Sequence, residues 1–529
     1  MIKEYIYITS DNIFHYLQNP RYLTFMCLAS VILVIISFLP AKSFAQTPKK
    51  VEIIRANSLE FDERLGINAK RLLGNVVFKH EEAFMFCDSA YFYDAENFVE
   101  AFSNVRIIQG DSLLLFGQKL LYNGNTRLAQ MRNVVKLIHY DSFLLTDSLD
   151  YDRGTEIGYY FNGGTIYHED NVLSSLRGYY HSLENTYYAV DSVEMVNPQY
   201  TIYSDTLKYD TETAISYFFG PTHIVSDSNI IYCEIGYYDT ENDVAGFWEN
   251  AWLESGHNLL KGDSIYYDRK IRFGEAFENV SIYDTVENFT AYGNYGYYYE
   301  SPHFAMLTDS VWVVHVADED SLFLSSDTVY ISVDTLDNKL IRAFYKVQVF
   351  KSDIQARCDS LIYSSADSLA EMYVNPIVWL EGTQLTADFM SMHFIGNDPD
   401  YAVLEPNAFV IEPIDSVYFN QIKGEKLIAF FKDKELYKAD IYNNSETLYF
   451  LEDEETKELI AKNKAISTNM TIYIKDKQFE KIWFYEKPDG QTFPIDDVLP
   501  EQLTLRYFVW YEKIRPKSKK DIFIWLPIE

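Results

Sequence analysis

The sequence predicts an all-β chain built from stacked repeats of about 29 residues. Three observations carry this. A phrase close to Asp-Ser-Leu-x-Tyr-Asp returns along most of the chain, as in Asn57-Ser58-Leu59-Glu60-Phe61-Asp62, Asp147-Ser148-Leu149-Asp150-Tyr151-Asp152 and Asp205-Thr206-Leu207-Lys208-Tyr209-Asp210. It recurs as Asp263-Ser264-Ile265-Tyr266-Tyr267-Asp268 and Asp359-Ser360-Leu361-Ile362-Tyr363, and the step from Asp205 to Glu234 equals the step from Glu234 to Asp263. A period of this size marks an array in which each unit covers its neighbour's apolar face. A second phrase keeps the same beat: Asn75-Val76, Asn104-Val105 and Asn133-Val134 are separated by that same step. Asn suits the left-handed positions of tight turns. Within each unit apolar and polar residues alternate, the period of a strand with one covered face. The 44 Tyr and 36 Phe are strand formers.

In chain order, residues 1–45 are a leader. An apolar run from Leu23 to Leu39 follows Lys3 and Arg21 and precedes Ser43-Phe44-Ala45, which reads as a signal peptide cleaved after Ala45. An uncleaved anchor is the rival, although the run is near the lower limit for a spanning helix. Residues 46–300 carry the cleanest rhythm and form a first repeat array. Residues 301–423 form a second, less regular one, where Asp327-Thr328-Val329-Tyr330 arrives late. Residues 424–529 form a β-rich C-terminal extension or cap with a basic stretch from Lys513 to Lys520. Terminal units of an array need a different outer face.

The whole chain carries a formal net charge of −33. Lys3, Arg21, Lys42, Glu4 and Asp11 leave with the leader, which makes the exported chain slightly more negative still. Such a charge excludes nucleic acid as a partner, since binding there needs a basic surface. It also opposes electrostatic adhesion to an anionic membrane. Its plain reading is solubility, with an acidic, solvated outer wall around an apolar inner one. No D-x-D-x-D-G loop points to calcium, and no metal site or cofactor is expected.

Cys87, Cys233 and Cys358 each precede the acidic residue that opens a repeat, a slot filled elsewhere by Ala56, Thr146, Ser204, Gly262 or Ala387. Units that many strands apart lie at least about 20 Å from each other, whereas a disulfide needs Cα atoms within about 7 Å. No intramolecular disulfide is expected, and the thiols fill space.

The histidines, among them His139, His168, His181, His223 and His257, form no H-E-x-x-H or Cys/His cluster, and no nucleophile elbow or P-loop is present. Asp147 with Asp152 could be drawn as a glycosidase pair. Because such pairs recur in every unit, they read as turn caps or a solvated face. The enzymatic rival is a parallel β-helix acting on polysaccharide. The expectation is that the chain is no enzyme.

Ala56-Asn57-Ser58-Leu59-Glu60-Phe61-Asp62, Leu72-Leu73-Gly74-Asn75-Val76-Val77-Phe78 and Cys87-Asp88-Ser89-Ala90, set behind a leader, resemble the OstA-like family. This is the organic-solvent-tolerance and lipopolysaccharide-transport β-jellyroll group. The resemblance implies an exported, periplasmic or outer-membrane-associated carrier or bridge in outer-membrane assembly. It also implies an elongated open β-jellyroll, taco- or solenoid-like, whose two facing sheets would hold the lipid A acyl chains of lipopolysaccharide and whose edge strands would pair with other β-jellyroll components or with the outer-membrane translocon. Acyl burial contributes about 0.8 kcal/mol per CH₂. The candidate inward lipid-binding positions are Leu149, Tyr151, Leu207, Tyr209, Ile265, Tyr267, Leu361 and Tyr363. The same residues could instead fill a closed core. The alternative from another class is an exported β-repeat scaffold or adhesin that binds protein or glycan without carrying lipid.

Overall fold

The computed structural model describes residues 49–529, apart from 62–68, 228, 287, 317–319, 397, 454, 457, 476–477 and 529. The leader and its cleavage site lie outside the described residues. Among the described residues, thirty-eight strands join in one antiparallel ladder running from Glu52 to Pro494. Each repeat is a pair of strands, such as Leu128–His139 with Ser142–Asp152, or Thr186–Asn197 with Tyr200–Asp210.

The repeated phrase divides into three jobs. Its Leu and Tyr point inward. Its last Asp closes an Asx turn: Asp210 Oδ1 accepts from the backbone N–H of Glu212 at 2.9 Å and of Thr213 at 3.0 Å. Asp239 repeats this with Glu241 and Asn242. Its first acidic residue holds the Asn of the second phrase. Asn104 Nδ2 donates to Asp88 at 2.7 Å, Asn250 to Glu234 at 2.8 Å and Asn279 to Asp263 at 2.9 Å. The two phrases keep one beat because they meet in space.

That meeting point is a corner. Partway along each long strand the register slips, between Arg132 and Val135 for example, or between Phe277 and Val280. Residues at the slip take positive φ: Asn75 (48°), Asn104 (51°), Asn133 (63°), Asn250 (56°), Asn279 (51°) and Asn375 (51°). A bulge of this kind bends the strand and adds twist. Repeated in every unit, it folds the sheet along its length into two walls facing each other. The inner side of the corner has room only for small residues, and there Cys87, Cys233 and Cys358 sit buried and unpaired. Burial pushes the Cys233 thiol up to about 12, so it behaves as a small apolar group.

The first wall carries two inward rows joined by strand register. One contains Leu120, Leu149, Leu207, Ile265 and Leu361. The other contains Tyr122, Tyr151, Tyr180, Tyr209, Tyr238 and Tyr267, each one full repeat from the last. Between these tyrosines stand mostly small residues, Ala129, Gly158, Ser216, Ala245 and Gly274, with Tyr187 the exception. Large beside small lets neighbouring rings interdigitate at close-packed density. The facing wall supplies Leu137, Leu144, Ile166, Leu173, Met195 and Ile202.

The outer side of the second wall departs from the expected acidic face. Between residues 323 and 450 it is covered by the chain's own end. Residues 499–526 run back over it as an extended strap with short 3₁₀ turns. Leu505 and Ile522 bury against it, and Phe508 and Trp510 pack on Phe419. Buried glutamines hold the strap by its backbone. Gln384 donates to Val509 O at 2.8 Å and accepts from Tyr511 N at 2.7 Å. Gln421 does the same with Leu503 O and Leu505 N, and Gln348 donates to the carbonyls of Ile522 and Ile524. A primary amide offers a donor and an acceptor side by side, so it pairs with an extended backbone as another strand would.

The corner explains a specific sensitivity. Replacing Asn279 with Val puts a β-branched residue at φ 51° and removes the bond to Asp263. The expected cost in urea unfolding is about 1–3 kcal/mol, and Asn279→Gly, free of the φ penalty, loses measurably less.

Candidate functional site

All eight candidate positions lie on the inner side of the first wall, in the two adjacent rows. Their surroundings differ along the ladder. Leu149, Tyr151 and Leu207 are fully buried, Tyr209 and Ile265 almost so, while Tyr267, Leu361 and Tyr363 are only partly buried. The same change affects part of the inner surface, although Leu307, Val329, Ala343 and Met390 stay buried. Apolar side chains that pack on the core yet remain partly exposed are, apart from Ile53 and Ala56, found from Leu253 onward. They include Leu260, Ile282, Leu324, Ile341, Met372 and Met392.

In the sealed stretch the far ends of the walls, opposite the corner, are tied by polar clasps. His80 Nδ1 meets Tyr122 OH at 2.5 Å, His139 Nδ1 meets Tyr180 OH at 2.5 Å, and His168 Nδ1 meets Tyr209 OH at 2.8 Å. Donor bookkeeping assigns the proton in two of these. Arg153 donates to Tyr122 O at 2.8 Å, so that hydroxyl donates to His80, whose Nε2–H then serves the Lys49 carbonyl at 2.9 Å. Asn171 donates to Tyr209 O at 3.1 Å, so Tyr209 donates to His168. Burial pushes the Tyr151 and Tyr209 phenols up to about 12, keeping both neutral. Tyr180 and Tyr187 stack at 4.2 Å, and Ser142 meets Tyr187 OH at 3.0 Å.

Beyond Tyr267 the tyrosine row loses its spacing. The next large member is Tyr298, which arrives later than the repeat demands, is 36% exposed and bonds to His303 at 3.1 Å. Ile331, Ile341 and Tyr363 continue the row. The inner surface there is apolar and mixes buried residues such as Leu307, Val329 and Met390 with partly exposed ones such as Leu324, Ile341 and Met372. Such a surface offers burial to a flexible hydrocarbon without directional chemistry. Among the described residues no group of three or more His, Cys, Asp or Glu is placed to hold a metal ion. No described helix is long and apolar enough to cross a membrane, which says nothing of strand-built spans.

Some of this escaped the sequence reading. Tyr122, Tyr180 and Tyr238 hold the same row as Tyr151, Tyr209 and Tyr267, and their regular spacing was the signal. His139 and His168 are also one repeat apart, each 41 residues before its tyrosine.

The fold and its inner surface define a class: an antiparallel jellyroll bent lengthwise around an apolar interior. Residues 48–205 match the protein-family model described as OstA-like protein, so the resemblance carried by the repeated phrase holds over that segment. The chain matches none of the curated proteins. Among solved structures, the extracellular domain of a putative one-component system from B. thetaiotaomicron aligns over 86% of this chain and 98% of that one. Its identity is 8% and its TM-score 0.08, too low to carry an argument.

The clasps give the sealed stretch a pH dependence. Burial, ahead of the neighbouring Arg153, holds the His80 imidazole below its usual value against the pull of the Lys49 carbonyl; burial does the same to His139 despite Glu156. A lowered folded-state value means the unfolded chain takes up the proton more readily. The contribution is therefore complete above about pH 6.5 and is lost as the pH falls through that value toward the lowered folded ones. Urea unfolding should show stability falling between about pH 7 and pH 5, with a flatter profile in a His80→Gln/His139→Gln variant.

Proposed function

We propose that this chain is a non-catalytic carrier or bridge for lipopolysaccharide, exported to the periplasm or the periplasmic face of the outer membrane. Lipid A acyl chains lie between the two walls. The cargo occupies the stretch from Leu253 onward, and the clasped stretch before it serves as a rigid stem. The observation that carries this reading is the change in the inner wall, from fully buried Leu149, Tyr151 and Leu207 to partly exposed apolar residues such as Leu361, Met372 and Met392. The OstA-like match over residues 48–205 supports the same assignment. An acidic chain repels lipid A phosphates, so the head group stays at the rim, in solvent.

Partners join at the two ends of the ladder. The short strands Glu52–Arg55 and Ser58–Phe61 close one end, and Gln478–Tyr485 with Asp489–Pro494 close the other. Edge strands present unpaired N–H and C=O groups, so another β-jellyroll component or the outer-membrane translocon can extend the sheet there. The domain division at about residues 300 and 423 belongs to this proposal: array, looser array, and C-terminal extension.

The filled interior before Leu253 also favours a second reading, an exported scaffold without lipid cargo. Photo-crosslinking in growing cells separates the two. Probes at Leu361 and Met392 are expected to yield lipopolysaccharide adducts, and a probe at Tyr151 none. Protein adducts alone at all three positions would leave the scaffold and remove the carrier.

A further inference from the structure

The outer side of the second wall carries a second apolar feature, before the strap. Register links Phe84, Ile108, Leu114, Ile138, Phe143, Tyr167, Val172, Val196, Thr201, Val225 and Ile230 into one outward row. It crosses eleven strands, a length of about 48 Å. Phe84 is 37% exposed, Val196 42%, Val225 37% and Ile230 36%. Leu145 and Tyr203 are exposed in the row beside it. Two shallow hollows of about 410 and 430 Å³ lie on the same wall, one reaching Tyr203 and His223, the other Leu145 and Ser174, and both touch Ser192. A continuous apolar row of this length on an exported acidic protein is unusual without a partner.

The molecule itself indicates what covers such a row. Followed onward by register, the row continues through Glu254, Leu259, Tyr283, Thr290 and Val314 to Phe323, Phe350, Gln355, Trp379 and Gln384. That end of the row is the seat of the strap, where Trp379 is fully buried. The strap is extended, sets large apolar residues on the wall and carries Arg506, Lys513, Arg515, Lys517, Lys519 and Lys520 between them. Two of its contacts are cation–aromatic: Arg357 of the wall lies 3.6 Å from the Trp525 ring of the strap, and the strap's Lys519 lies 5.5 Å from Phe323. Lys79 and Lys136 lie over Phe84 and Phe143, 5.4 and 4.2 Å from the ring centroids, so the barest part of the row runs from Tyr167 to Ile230, and acids border the row on both sides. Exposed Asp88, Asp147 and Asp205 stand toward the corner, and Asp111, Asp141 and Asp170 stand in the turns at the other edge. Acidic borders reject an anionic lipid surface and favour a cationic segment.

We infer that the outer row from Phe84 to Ile230 docks an extended segment of a partner protein, one with large apolar side chains interleaved with lysine or arginine. The bound segment prolongs the line of the chain's own strap. This site is on the opposite side of the wall from the acyl trough and does not depend on what the trough carries.

The test uses the full exported chain and a synthetic, dye-labelled peptide of residues 499–526 as probe, with a scrambled-order peptide as control. Saturable binding of the ordered peptide is expected, at least tenfold weaker in a Val196→Arg/Ile230→Arg variant whose melting temperature is unchanged. A photo-crosslinker at residue 196 should label the peptide. Equal affinity in the variant would overturn the inference, as would cross-links confined to the region between residues 323 and 450, where the strap already sits. So would a row that engages only phosphatidylglycerol vesicles, or only a second copy of the chain in sedimentation, in place of the peptide.

Discussion

The architecture depends on one local event repeated along the ladder, a corner of positive-φ residues that in several units is an Asn held by an acidic side chain from the neighbouring strand. Without it the ladder would be a long, flat antiparallel sheet with one greasy face, which is an aggregation template. With it the greasy face folds onto itself. The Asn supplies the φ that most residues resist, and the Asp or Glu satisfies the Asn amide. The negative charge of the chain is therefore partly structural, because acids such as Asp88, Glu234 and Asp263 serve the corner while Asp152, Asp210 and Asp239 close Asx turns.

Once bent, the interior must be filled or left open, and the row spacing decides which. Where tyrosines recur in step with the repeat, opposite Ala, Gly or Ser, they interdigitate and reach His80, His139 and His168 across the mouth. Where the spacing slips after Tyr267, the rings fall out of phase and the wall stays partly exposed. The outer side then receives the strap, whose glutamine-held backbone gives the loosened half a second layer.

The fold class was legible because both phrases are local: a single copy reveals the strand, its inward face and its turn. The candidate rows were legible only to a degree. Leu149 and Tyr151 announce themselves by the phrase around them, whereas Tyr180, in Gly178-Tyr179-Tyr180, lacks it. The facing wall carries no phrase and went unread. Whether a given inward residue is sealed or exposed depends on the register of units far apart in the chain, which no local pattern encodes. The strap was invisible for the same reason: Gln384 and Val509 are 125 residues apart. The outer wall was expected to be acidic because the alternation was sampled only in the phrase-bearing half of each strand, and the apolar row from Phe84 to Ile230 lies in the other half.

Within a single bent ladder, a sealed interior gives way to a partly exposed one. Maleimide labelling of single cysteines on the inner wall tests it most directly, since the buried native thiols stay protonated and unreactive. Cysteines at Leu149 and Leu207 should remain unlabelled in the folded protein while those at Leu361 and Met392 react within minutes. Equal protection at all four positions would contradict the account.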